Sequence, residues 1–278
     1  MASITAAQVM ALREKTSLPM MECKKALVEA DGDEDKAVEI LREQFKKQMV
    51  KRAENVTAEG RIVVRCADDG SEAVMVEVQC ESAPVAGGED FVFFSDACAE
   101  QLLTGPGAAS AEELLSQSCP GKDGQTLQDI FDDMINRIRE KMVVARITRV
   151  SGPVNGYVHH DQKNAALFCA EGEGDNRDLL RDVAMHITAL KPQVCNVEDV
   201  EDSVVEAERT RLTDEAKASG KPDNIVEKIV DGRMKNFYVE QGVLTSQAFA
   251  KDDSKTVSQA LAEAGYKAKS FDRWVIGQ

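Results

Sequence analysis

The chain has 278 residues, 43% hydrophobic and 30% charged, a balance that fits an ordinary folded protein and excludes a disordered one. This length allows one large domain or two to three small ones, and no apolar run approaches the roughly 18 residues of a membrane-spanning helix. A net charge of −15 works against binding phosphate backbones, where affinity comes from Lys and Arg releasing counterions, so proteins or small molecules are the expected partners.

The N-terminus, MASITAAQVMALREK, reads as neither a secretory signal nor an Arg-rich presequence. The first 52 residues read as three short helices. Ser3 or Thr5 can cap AAQVMALREKT, whose apolar face is expected from Val9, Leu12 and Met10 or Ala6. Pro19 suits the first position of a second helix, MMECKKALVEA, and Asp33 caps a third, KAVEILREQFKKQ. Three helices in so short a span resemble a ubiquitin-associated module, an interaction unit with little room for a catalytic pocket. Lys46–Arg52, KKQMVKR, reads as a charged linker.

After Gly60 the pattern alternates. RIVVRC and AVMVEVQC form a hairpin turned at Asp69-Gly70, followed by a helix over Asp90–Leu103 and another over LQDIFDDMINRIREKM. GYVHH, AALFCAEG and the helix DLLRDVAMHITAL then repeat the strand, strand, helix order. An offset of 152 − 60 = 92 pairs Gly60 with Gly152, Asp69 with Asp161 and Ala73 with Ala165. Three identities leave chance open; the shared order of elements is the stronger argument for two related α+β subdomains. Next, VEDVEDSVVEAERTRLTDEAKA and PDNIVEKIVDGRMKNFYVE read as two long helices in a hairpin, with Gly220 ending one and Pro222 starting the other. A short helix and a strand close the chain.

Few groups point to chemistry. His159-His160-Asp161 reads as a polar hairpin turn, because adjacent strand histidines face opposite ways and only His186 remains as a third. The seven cysteines are odd in number, scattered and never spaced as CxxC, which argues for buried, reduced thiols and against structural zinc. No phosphate-binding glycine loop opens a helix after a strand. The residues alone thus give an acidic, cytosolic, non-enzymatic protein-binding factor. A cysteine or histidine hydrolase is the enzyme alternative.

Specific runs add more. ITAAQVMALREKTSLPMMECKKALVEADGDEDKAVEILRE resembles the opening of the elongation factor Ts family, with the helix ending R-x-x-T and then M-M-x-C-K-K-A-L. The resemblance continues through AEGRIVV, AMHITALKPQ, SGKPDNIVEKIVDGRMKNF and DDSKTV, and spans essentially the whole chain. It implies an α+β fold with a ubiquitin-associated-like head at 1–52, a core N-subdomain at 53–145 and a core C-subdomain at 146–278. The last of these carries a helical hairpin near 198–240 and a C-terminal module near 241–278. It also implies a guanine-nucleotide exchange factor for elongation factor Tu, needing no cofactor, no metal, no nucleic acid and no membrane. By the same resemblance, Arg13, Met20 and Met21 are expected at head positions that grip the partner, and His186 at a core position near its Mg²⁺ site. A second copy is a further candidate partner, through apolar residues of the hairpin between Val204 and Phe237.

One departure stands out. Where the family reads Thr-Asp-Phe-Val, this chain has Ser82-Ala83-Pro84-Val85, so the acidic group and aromatic wedge that the family uses to dislodge Mg²⁺ are absent. The nearby Glu89-Asp90-Phe91-Val92 mimics the motif but aligns with the family's own helix start. Two expectations follow: an exchange factor working through His186 and its outer grips, or a divergent copy that binds without efficient exchange.

Overall fold

The computed structural model describes residues 4–16, 18–220 and 222–278. The architecture is α+β, and the chain divides into two compact units. One comprises Met1–Val63, Val76–Ile147 and Ile276–Gln278; the other comprises Val64–Met75 and Thr148–Val275.

The first unit opens with α1 (Ala6–Thr16), α2 (Met20–Glu29) and α3 (Glu34–Arg52). Thr5 does the capping: the Gln8 N–H donates to its Oγ1 at 3.3 Å while its own N–H donates to Gln8 Oε1 at 3.0 Å. Ser3 lies outside the described residues. Val9 and Leu12 turn inward onto Cys23, Ala26 and Leu27 of α2, but Met10 and Ala6 are exposed, so α1 buries a narrower stripe than expected. Pro19 sits at the N-cap of α2, one residue before its expected place. Asp33 caps α3 as expected, accepting the Lys36 N–H at 3.1 Å. The expected linker at Lys46–Arg52 is instead the end of α3; its straight-chain residues favour a helix, and charge alone did not stop it.

β1 (Glu59–Cys66) and β2 (Glu72–Cys80) follow, then α4 (Ala83–Ala86), α5 (Glu89–Thr104), α6 (Ala111–Leu115) and α7 (Leu127–Ile138). Helix α7 ends four residues before the sequence pattern does. Arg139 turns left-handed (φ 61°), and the next residues are taken by tertiary partners. Glu140 accepts from Ser82, and the Lys141 N–H donates to Glu81. The chain then enters β3 (Met142–Ser151), a strand not read from the sequence, which completes a sheet of order β1-β2-β3. On β2 the fully buried Glu77 receives Arg146, the Gln79 amide at 2.6 Å and the Gly277 N–H at 3.3 Å.

The second unit carries β4 (Val154–Val158), β5 (Asn164–Gly172), α8 (Arg177–Leu190), α9 (Asp202–Ala218), α10 (Asp223–Glu240), β6 (Ala248–Phe249), β7 (Asp252–Thr256), α11 (Val257–Glu263) and β8 (Tyr266–Val275). β5 pairs antiparallel with both β4 and β8, placing Leu167 opposite Gly156 and Asp272. Its inward residues Ala166 and Phe168 meet Leu180, Val183 and Ile187 of α8 and Leu261 of α11. The helix expected over 197–218 is broken: Val197–Asp199 is a 3-10 turn, Val200 is extended, and α9 starts at Asp202. Helices α9 and α10 share a core of Leu212, Val226, Val230, Met234 and Phe237, with Gly220 left-handed (φ 71°) after α9. Phe237 is therefore packed within the hairpin, and its exposed apolar residues are Val204, Ile225 and Val239.

Some local features recur at the offset of 92. Gly60 and Gly152 both have positive φ, 151° and 127°. A Cβ on Gly60 would lie 2.2 Å from the Val78 carbonyl oxygen, and one on Gly152 would lie 3.8 Å from that of Ala170, which is 78 + 92. Asp69 and Asp161 each accept the N–H two residues on, and Ala73 and Ala165 are both fully buried.

Candidate functional site

On α2, Cys23, Ala26 and Leu27 recur at helical spacing and face the head's core, which leaves the first turn to solvent. Both methionines of that turn are outward, Met20 at 45% and Met21 at 65% exposed. Arg13 is exposed on α1 beside buried Leu12. The surface of this module thus offers two flexible thioethers and a guanidinium, a set suited to an adaptable protein contact. Glu22, next to Met21, is gripped by both terminal nitrogens of Arg139, and this bond holds its carboxyl below the usual carboxylate range. That pair joins residues 117 positions apart, so no local spacing announced it.

Ser82-Ala83-Pro84-Val85 builds the one-turn helix α4, which the sequence reading did not anticipate. Ser82 is its N-cap residue in extended backbone, and Pro84 needs no amide partner in a first turn. The base of the turn is fixed: the Ser82 hydroxyl donates to Glu140 at 2.7 Å and its N–H to the same carboxylate at 3.1 Å. Glu81 beside it accepts from Arg52 and from Asn55 at 2.8 Å. Burial raises the Glu81 carboxyl, but the Lys141, Asn55 and Arg52 donors outweigh it and hold the pKa low. The apex, Ala83 and Pro84, is exposed, and Val85 is half-buried. In the neighbouring Glu89-Asp90-Phe91-Val92, Phe91 is fully buried, and Asp90 pairs with Arg137 at 3.1 Å.

His186 lies on α8 at 1% exposure. Its Nδ1 accepts the Ala250 N–H at 3.1 Å and its Nε2 lies 2.9 Å from Gln247 Oε1. Burial pushes its pKa below the usual histidine value, with Gln247 opposing. His186 is therefore enclosed within the second unit, whereas Arg13, Met20 and Met21 are each exposed on the first.

The other histidines follow β4 instead of sitting on it, which overturns the opposite-face argument: the His159 and His160 rings lie 4.2 Å apart, centroid to centroid. Their setting is still a turn, with Tyr157 3.2 Å from His159 Nδ1 and Asp161 bonded to Lys163 and Asn164. Among the described residues, no group of three or more His, Cys, Asp or Glu could hold a metal ion, and no thiol hydrogen-bonds to a histidine. Six of the seven thiols are buried. Burial raises the pKa of Cys80 to about 11 and of Cys195 to about 12, the reverse of what a nucleophile needs. Among the described residues, no helix is long and apolar enough to cross a membrane.

Known proteins resemble this chain throughout. The family model for "Elongation factor TS" matches residues 81–278. Elongation factor Ts of Paenarthrobacter aurescens (strain TC1) is 40% identical over 284 residues, covering all of both chains. That of Methylococcus capsulatus is 40% identical over 279 residues, covering 99% of this chain and 93% of the relative. That of Hyphomonas neptunium is 38% identical over 285 residues. Residues 1–80, which the family model leaves out, are covered by these whole-length matches. On this similarity, the chain belongs to the elongation factor Ts family.

Proposed function

We propose that this protein binds the GTPase elongation factor Tu in the cytoplasm and promotes exchange of its GDP for GTP without covalent chemistry. The observation that carries the reading is the whole-length match to elongation factor Ts proteins. The exposed Met20, Met21 and Arg13 supply a surface for the grip. In this reading, residues 1–52 are the ubiquitin-associated-like head, and the hairpin's Val204 and Val239 are where two copies would pair. The factor and the nucleotide weaken each other's binding by the same ratio, so the head's contacts supply the free energy with which GDP is loosened.

The test is release of labelled GDP from the cognate GTPase with and without the protein. Acceleration is expected, and no acceleration at saturating protein defeats the proposal. One observation favours a second reading: the α4 apex presents Ala83 and Pro84, with neither carboxylate nor aromatic ring. A factor that grips without a wedge would form a stable complex on size-exclusion chromatography and leave GDP release unchanged.

A further inference from the structure

Residues Gln247–Lys251 lead from the 3-10 turn Leu244–Ser246 through β6 towards β7. Phe249 is buried in the core of the second unit, while Ala248, Ala250 and Lys251 face solvent, so the segment is a thin surface layer anchored by one ring and by its pairing with β7. Two residues of α8, four apart, stitch it from below. The Asp182 carboxylate holds Lys251 Nζ at 3.1 Å, and His186 takes the Ala250 N–H and the Gln247 carbonyl oxygen. A backbone N–H can only donate and a side-chain carbonyl oxygen can only accept, which fixes the tautomer: Nδ1 is bare and Nε2 carries the proton. Both ring nitrogens are thereby occupied, and the ring lies 6.1 Å from that of Phe249. No imidazole nitrogen remains to meet a partner.

We propose that His186 is a positioning residue, which fixes the Gln247–Lys251 segment on α8 and supports nucleotide exchange by presenting that segment, not by touching the GTPase itself. The inference rests on the exchange-factor reading and changes how one of its residues acts.

Full-length His186→Ala, His186→Gln, Gln247→Ala and the double variant His186→Ala/Gln247→Ala are compared in two measurements: hydrogen exchange at the Ala250 amide, and release of labelled GDP from the cognate GTPase. In His186→Ala the Ala250 amide is expected to exchange roughly five- to tenfold faster, the loss of one hydrogen bond. GDP release is expected to slow in both single variants, with the double variant no slower than the worse single, because both act through one segment. His186→Gln retains an acceptor and is expected to recover part of both readouts. Slow GDP release in His186→Ala with Ala250 still protected and Gln247→Ala normal would mean direct contact, and overturns the proposal. Faster Ala250 exchange with unchanged GDP release overturns it too, leaving a purely structural stitch. If His186→Ala fails to fold, the half-buried Gln247→Ala still decides through the same pair of readouts. If the wild type itself does not accelerate GDP release, the exchange-factor reading fails, while Ala250 exchange still judges the stitch separately.

Discussion

Restoring the missing wedge tests the α4 turn directly. In Ala83→Asp/Pro84→Phe both new side chains project from an exposed apex, so they meet no packed neighbour, and the base bonds from Ser82 to Glu140 are untouched. Full burial of a phenylalanine side chain against a partner is worth about 1.5–3 kcal/mol, which converts to roughly 10- to 150-fold. The costs are local. Removing Pro84 frees the unfolded chain by about 0.4–1 kcal/mol, and a carboxylate at 83 adds like charge beside Glu81 and Glu140. A loss near 1 kcal/mol should lower Tm by about 2–4 °C in a chain of this size. The assay is stopped-flow release of labelled GDP at fixed Mg²⁺, with complex formation checked by size exclusion. If the wild type grips but lacks a wedge, the variant should speed release at least tenfold at that small cost in stability. A folded, partner-binding variant that releases GDP no faster would refute the idea that this turn carries the wedge, and would leave exchange to the outer contacts.

Other predictions follow from the same geometry. Met20→Ala/Met21→Ala should leave Tm unchanged, because both side chains are exposed, while weakening partner affinity about tenfold; equal affinity by calorimetry would remove α2 from the interface. Gly60→Ala should cost more than about 2 kcal/mol in urea unfolding, since its Cβ would meet the Val78 carbonyl oxygen at 2.2 Å; Gly152→Ala, with Cys169 Sγ at 3.3 Å, should cost less. Arg146→Met takes the cation from the fully buried Glu77, leaving the Gln79 amide and the Gly277 N–H as donors, and should destabilise by about 2–4 kcal/mol, an equilibrium loss under 1 kcal/mol contradicting the pairing. Because burial lowers the folded pKa of His186, the unfolded chain binds the extra proton first. Its contribution to stability is therefore whole above the ordinary histidine value of about 6.5, and falls as pH drops from there toward the folded pKa. Denaturation midpoints for wild type and His186→Ala should converge across that window, and parallel curves would count against the assignment.

Much of this was legible in the chain because local rules and tertiary packing agree. Helical spacing found α1, α2, α5 and α8, and the Asp69-Gly70 and Gly220 signals found the hairpin turn and the end of α9. The failures occur where a distant partner decides. Arg139, Glu140 and Lys141 continue the helical pattern of α7, yet Glu22, Ser82 and Glu81 take their groups and the chain leaves for β3. The break at Val200 likewise shows no proline or glycine. At the candidate site, the resemblance marked Met20 and Met21 together, and both are exposed. The partners that hold His186 could not be read from the sequence, since Gln247 and Ala250 lie 61 and 64 positions away.

The buried thiols have a practical consequence. A cysteine sealed from water, with its proton held more tightly than usual, reacts with an alkylating reagent only when its surroundings open. Five such sentinels are spread over both units, Cys80, Cys98 and Cys119 in one and Cys169 and Cys195 in the other, and Cys23 adds a sixth thiol screened by burial. Timed labelling read by mass spectrometry would therefore clock the opening of each region separately, with no probe introduced. The order in which the six sites acquire label would chart the protein's path to unfolding, free or in complex.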